Sequence, residues 1–224
     1  MRLCCLLLFL MLALPGCAAV PFHRAEPVSQ VGLEPGALLA KYRESAPEIF
    51  NQLNSIVFDF AGQKVLAIGF LEINSKEKSF RVVCLNPMGV KLFDLSGDEA
   101  GLTTNYAIEP LAKLGDIAVL VAADIRRIYF DNAPKENATP YGWGNRVIFG
   151  GGTPDGYLEH VFAGGTGDLV EKRFYADQLL VWQVDYSEYH ENNGRRYPRE
   201  ITIIDYKNGY QLTVREKEQS LEQD

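Results

Sequence analysis

Apolar positions recur at a spacing of two through most of this chain, and only two stretches carry the spacing of a helix. The clearest strand pair runs from Phe80 to Leu95, with a tight turn in its middle. Asn86 suits the first turn position, Pro87 presets φ at the second and Gly89 suits the last. The residue left over is Met88, a long thioether at a tip where polar atoms are usual. It either folds back onto a neighbouring strand or touches something apolar outside the protein. Lys64 to Ile73 is apolar on both parities, with Leu66, Ile68 and Phe70 on one side and Val65, Ala67, Leu71 and Ile73 on the other. That pattern predicts a strand covered on both faces. Further on, Leu180, Trp182, Val184 and Tyr186 share a strand face. Ile201 and Ile203, then Tyr210, Leu212 and Val214, flank a turn at Asn208-Gly209. These segments predict an antiparallel meander.

Helical spacing is clearest from Asp116 to Phe130, where Ile117, Leu120, Val121, Ile125 and Ile128 form one stripe. Asp116 is a candidate cap, and Arg126 and Arg127 complement the dipole at the far end. Asp124 lies at the edge of the stripe, where pairing with a neighbouring arginine is the expectation. Leu38, Leu39 and Tyr42 predict a shorter helix before Pro47. Glycines crowd Thr139 to Gly167, but no phosphate-loop spacing is present, so they read as bends between short strands.

The first residues place the domain. Arg2, the apolar run Leu3 to Leu14 and the small-residue end have the form of a secretory signal and are too short for a permanent span. Leu14-Pro15-Gly16-Cys17 resembles the bacterial lipobox, which implies cleavage after residue 16 and lipidation of Cys17. Ala18 after the cysteine resembles lipoproteins sent on to the outer membrane. Residues 17–35 then read as the lipidated cysteine and a proline-containing tether, 36–216 as one domain, and 217–224 as a charged tail.

Charge and cysteine content narrow the chemistry. The formal charge of −7 is spread without a basic stripe, which argues against nucleic acid as a partner. Cys4 and Cys5 leave with the signal and Cys17 takes lipid, so Cys84 has no partner and reads as a small buried hydrophobe. His23, His160 and His190 have no metal-ligand spacing, and no nucleophile elbow is present. No cofactor or metal is called for, and the expectation is a protein without enzymatic activity.

The hairpin sequence Phe80-Arg-Val-Val-Cys-Leu-Asn-Pro-Met-Gly-Val-Lys-Leu-Phe-Asp-Leu95 resembles the Asn-Pro-Leu-Gly hairpin of the LolB family. Trp182-Gln-Val-Asp-Tyr186, Tyr197-Pro198 and the strands from Glu200 to Val214 are similar to that family's closing strands. The resemblance implies an α+β, mainly β fold: an unclosed antiparallel barrel with a helical cover around an apolar cavity for acyl chains. It also implies an outer-membrane lipoprotein that accepts lipoproteins from a periplasmic carrier, with Met88, beside Pro87, at the place of a protruding leucine that helps put lipid into the membrane. The family's longer helical region is reduced here to Asp116–Phe130, as in a divergent branch. Doubly apolar strands under one helix support a cavity independently. Its candidate lining is Ile68, Phe70, Val82, Leu92, Trp182 and Val184, a set that a register error of one would exchange. The alternative is a structural or scaffolding lipoprotein whose barrel is filled by its own side chains and whose Met88 meets a protein partner.

Overall fold

In the computed structural model the described residues are 34–217, apart from 110, 112–116, 144, 164–165 and 193. The signal, the lipobox with Cys17, Asp116 and almost all of the charged tail lie outside them. Helix α1 (Pro35–Ser45) leads into strands β1 (Ile49–Phe60), β2 (Gln63–Asn74), β3 (Ser79–Leu85), β4 (Lys91–Gly97) and β5 (Leu102–Ala107). Helix α2 (Ile117–Tyr129) follows, one residue inside each end of the predicted stretch. Then come β6 (Thr139–Trp143), β7 (Arg146–Thr153), β8 (Gly156–Ala163), β9 (Asp168–Ala176), β10 (Leu179–Asn192), β11 (Arg195–Asp205) and β12 (Tyr210–Glu216).

All twelve strands form one antiparallel sheet in the order β5-β4-β3-β2-β1-β12-β11-β10-β9-β8-β7-β6. The first and last strands pair through the middle, and β5 and β6 are the two free edges. The segment joining those edges carries α2 over the concave side. The sheet is therefore an unclosed barrel with a helical cover, as the sequence predicts.

Register fixes which residues face inward. Leu71 opposes Val82, Val82 opposes Leu95, and Val184 opposes Ile203, all buried on the concave side. Ile125 and Ile128 of α2 join them in one core with Phe80, Phe162, Leu169 and Trp182. Burial of such side chains contributes about 1.5–3 kcal/mol each, which holds the helix down far more than its intrinsic propensity. Cys84 is buried in β3, and burial pushes its thiol up to about 11. The glycine-rich segment forms β6 to β8. At Gly156 a Cβ would stand 2.1 Å from the Tyr175 carbonyl oxygen, so only glycine lets the two strands approach.

The β2 expectation needs correction. Leu66 is 58% and Phe70 39% exposed, so the strand is covered on its concave side alone, and there only toward Gly69, Leu71 and Ile73, since Val65 is exposed as well. Its other parity forms part of an apolar convex face with Leu53, Val57 and Val83. On β7 to β9 the convex face is instead dressed by ion pairs, Arg173 with Glu171 and Glu159, and Arg146 with Glu171.

Candidate functional site

The β3–β4 hairpin is a rigid mount. The Asn86 side-chain oxygen accepts hydrogen bonds from the Met88 and Val90 backbone N–H groups at 3.0 and 2.9 Å. Gly89 N–H donates to the Asn86 carbonyl at 2.9 Å, and Gly89 sits at φ +83°, which a side chain would strain. Met88 is thus held outward and is 85% exposed, with Pro87 and Val90 exposed beside it. The register pairing Ile68 with Leu85 places Val65 and Leu66, which precede Ile68 on β2, at the same end of the sheet as the hairpin tip. Both are exposed, as is Phe60 across the β1–β2 turn. One end of the sheet therefore presents several exposed apolar side chains, Met88 foremost.

A cleft of about 400 Å³ lies at the other end of the strands, between α1 and the C-terminal end of α2. Its walls carry Tyr42, Tyr129, Tyr186, Tyr189 and Tyr197 together with Phe50, Ile128 and Ile201. Lys78, Arg43, Arg196, Glu48 and Asp131 stand among them. Pro35 starts α1, where its missing N–H costs nothing, and Arg195 caps the far end by donating to the Glu44 and Ala46 carbonyls at 2.7 and 3.2 Å. Leu38 is buried, and the Tyr42 ring meets Phe162 edge-on at 5.1 Å. The wall formed by α1 is thereby fixed in place.

Two buried polar clusters clamp α2. Arg127 donates to Asp205 at 2.8 Å and to Asp124 at 3.2 Å, with its guanidinium 5.5 Å over the Trp182 ring. Tyr210 donates its hydroxyl to Asp124 at 2.8 Å. Burial pushes the Asp124 carboxyl up to about 6, against the pull of Tyr210 and Arg127. Burial raises Asp205 too, but bonds from the Asn208 backbone, Arg127 and the Asn208 side chain outweigh it and leave that carboxyl below its usual range. At the helix end, Lys172 donates to the Arg127 carbonyl, the Phe130 carbonyl and the Asn132 side chain at 2.7, 2.9 and 2.8 Å. Burial lowers its amine to about 7, yet three acceptors match the three N–H bonds of the protonated form, and they sit where the helix dipole favours a cation.

These shifts carry a pH signature. Asp124, raised from 3.8 to about 6, binds more protons folded than unfolded in that window, so its contribution falls as pH rises. His160 donates its Nε2–H to the Asp131 carbonyl, 2.8 Å away, and burial lowers its pKa from 6.5 to about 4. Its contribution rises with pH over nearly the same window. Each is worth about 3 kcal/mol at most, and they offset one another. Asp124→Asn removes one of the pair, so the variant is expected to lose stability relative to wild type between pH 6.5 and 4. Urea midpoints taken across that range measure it, and parallel profiles for the two proteins would refute it.

The six expected lining residues divide by face. Val82, Trp182 and Val184 point to the concave side but are packed within the core. Ile68 and Phe70 fall on the convex side, since Phe70 opposes Val83, and Leu92 sits at the register shift between β3 and β4. None of the six lines the cleft, whose walls come from α1, β1, the β2–β3 turn, α2, β10 and β11. The tyrosines of β10 and β11 were the signal available in the sequence, but strand aromatics are ordinary. Asp124 pairs with Arg127 as expected, though from a buried position.

Residues 67–218 match the profile of a family described as a protein of unknown function, DUF3261. The chain belongs to that family. No curated protein matches this DUF3261 chain in sequence. Among solved structures, it is similar to a LolA superfamily protein from Nitrosomonas europaea, with a TM-score of 0.54 and 12% identity over 83% of this chain and 92% of the other. A DUF1329 family protein from Desulfovibrio piger gives 0.51 and 9%, over 81% and 88%. A domain from Vibrio parahaemolyticus, described as an outer membrane lipoprotein-sorting protein domain, gives 0.50 and 8%, over 84% and 92%. The fold of this DUF3261 member is that of the LolA/LolB superfamily.

Proposed function

We propose that this chain is a bacterial envelope lipoprotein, anchored through Cys17 on the periplasmic face of the outer membrane, that holds acyl chains and helps accept or insert lipids or lipoproteins there. The observation that carries the reading is the apolar end of the sheet, where Met88 is 85% exposed on a turn braced by Asn86, with Val90, Val65, Leu66 and Phe60 around it. Exposed apolar groups gathered at one end of a domain mark contact with a membrane or a partner. The tyrosine-walled cleft supports it, since 400 Å³ falls within the range of small-molecule sites. The fold shared with a LolA superfamily protein and with an outer membrane lipoprotein-sorting protein domain supports the same direction, and a periplasmic carrier protein is the partner this role calls for.

A second reading has an observation of its own. Phe162, Leu169, Val184 and Ile203 are fully buried, so the centre of the barrel is filled and a scaffold role needs no cargo. Transfer of a fluorescent fatty acid from the purified, unlipidated protein to anionic vesicles separates the two, together with extraction of co-purified lipid. Met88→Glu is expected to slow transfer about tenfold or more, with unchanged thermal midpoint, because a carboxylate at the tip opposes insertion into the bilayer. Absence of bound lipid and of probe uptake would sink the acyl-chain reading in favour of the scaffold.

A further inference from the structure

One side chain in the cleft is chemically incomplete. Tyr129 ends α2, is 9% exposed, packs its ring 5.9 Å from Phe50 and lines the cleft. Its hydroxyl is buried without a hydrogen-bond partner. Neighbouring tyrosines do not share this state. Tyr186 donates to the Ile128 carbonyl at 2.7 Å, and Tyr189 to the Leu169 carbonyl at 2.6 Å. Buried polar groups are paired in native folds, and an orphan at a ligand-sized cleft marks where a partner atom belongs. Burial, with Glu216 nearby, pushes the Tyr129 phenol far above its usual range, so it is a neutral donor that needs an acceptor.

The charges around the cleft say which acceptor. Lys78 is 3.1 Å from Asp131 and 3.6 Å from Glu99, and Arg196 holds Asp168 through two bonds at 2.7 and 2.8 Å. Arg43 is committed to the Pro134 carbonyl at 3.1 Å. With two of its cations already neutralised by carboxylates, the cleft offers little to a free anion, whereas an uncharged carbonyl oxygen meets the Tyr129 hydroxyl without displacing an ion pair.

We propose that the cleft selects an acyl chain bearing an uncharged ester or amide carbonyl, and that Tyr129 is the specificity-determining residue that donates a hydrogen bond to that oxygen. This rests on the acyl-binding reading of the cleft. Ester- and amide-linked chains, as in glycerolipids and lipoproteins, carry that group, whereas a hydrocarbon lacks it and an ionised fatty acid brings a charge.

Tyr129→Phe tests it with two probes, a fluorescent polyene fatty acid as its methyl ester and diphenylhexatriene, a hydrocarbon with no acceptor. The substitution is expected to weaken the ester about tenfold, the loss of one good hydrogen bond, and to leave the hydrocarbon within twofold. The thermal midpoint of the ligand-free variant should be unchanged or higher, because an unpaired buried hydroxyl is removed. If wild type binds both probes and the variant binds each equally well, the hydroxyl is satisfied by water and the assignment to Tyr129 is overturned. If wild type binds neither probe, the acyl-binding reading fails and takes this inference with it.

Discussion

Arg127→Ala is expected to destabilise the protein by about 3–5 kcal/mol, since it leaves two buried carboxylates, Asp124 and Asp205, without their shared cation. Asp205 keeps its bonds from Asn208, and Asp124 keeps Tyr210, so the fold is strained but not dismantled. The loss should shrink at pH 5, because Asp124 already has a carboxyl pushed up to about 6 and, without Arg127, takes a proton still more readily. Chemical denaturation at pH 8 and pH 5 reads both statements. A loss of equal size at the two pH values would point to lost packing on Trp182 instead of unpaired charge. Arg127→Lys is expected to recover only part, for an ammonium cannot bridge two carboxylates and stack on the indole as the planar guanidinium does.

Lys172→Met is the other change with a large expected cost, about 3–4 kcal/mol. Methionine fills the space but donates nothing, and three acceptors at the end of α2 lose their partner together. The damage should be local before it is global. Amide exchange near Phe130 to Asn132 is expected to accelerate more than exchange in β10 and β11, since those strands keep their ladders. Uniform acceleration across the domain would mean that Lys172 supports the sheet and not the helix end. Because Tyr129 and Asn132 both line the cleft, looseness there would also blunt ligand affinity.

What the sequence makes legible follows from how local each signal is. The Asn86-Pro87-Met88-Gly89 turn is readable because four adjacent residues determine it, and α2 because its stripe spans more than three turns. The face of β2 is not readable, as both parities are apolar and period-two spacing cannot separate concave from convex. That ambiguity put Ile68 and Phe70 on the wrong side. The cleft is harder still, because its walls come from six separate segments and no one of them is unusual alone. Lys172 sits inside Glu171-Lys172-Arg173, a charged run with nothing to mark that its middle member turns inward while its neighbours pair on the convex face. Only the placement of the α2 carbonyls makes a buried lysine sensible. Tyr129 is similar: its missing partner is a property of the assembled space around it.

The hairpin tip and the cleft occupy opposite ends of strands that run to about 40 Å at twelve residues. With Met88 against a bilayer, the cleft mouth looks away from that bilayer. Such a domain has a front and a back. In the proposed role, cargo arriving from the aqueous side would meet the cleft mouth, and handing it to the membrane would require either a half-turn of the whole domain or passage along the sheet. With Cys17 as the proposed anchor, the sixteen residues 18–33 reach at most roughly 55 Å, more than the length of those strands. On that proposal, shortening the stretch is expected to leave capture intact and slow release, so that rotation about the anchor, rather than affinity, would limit delivery.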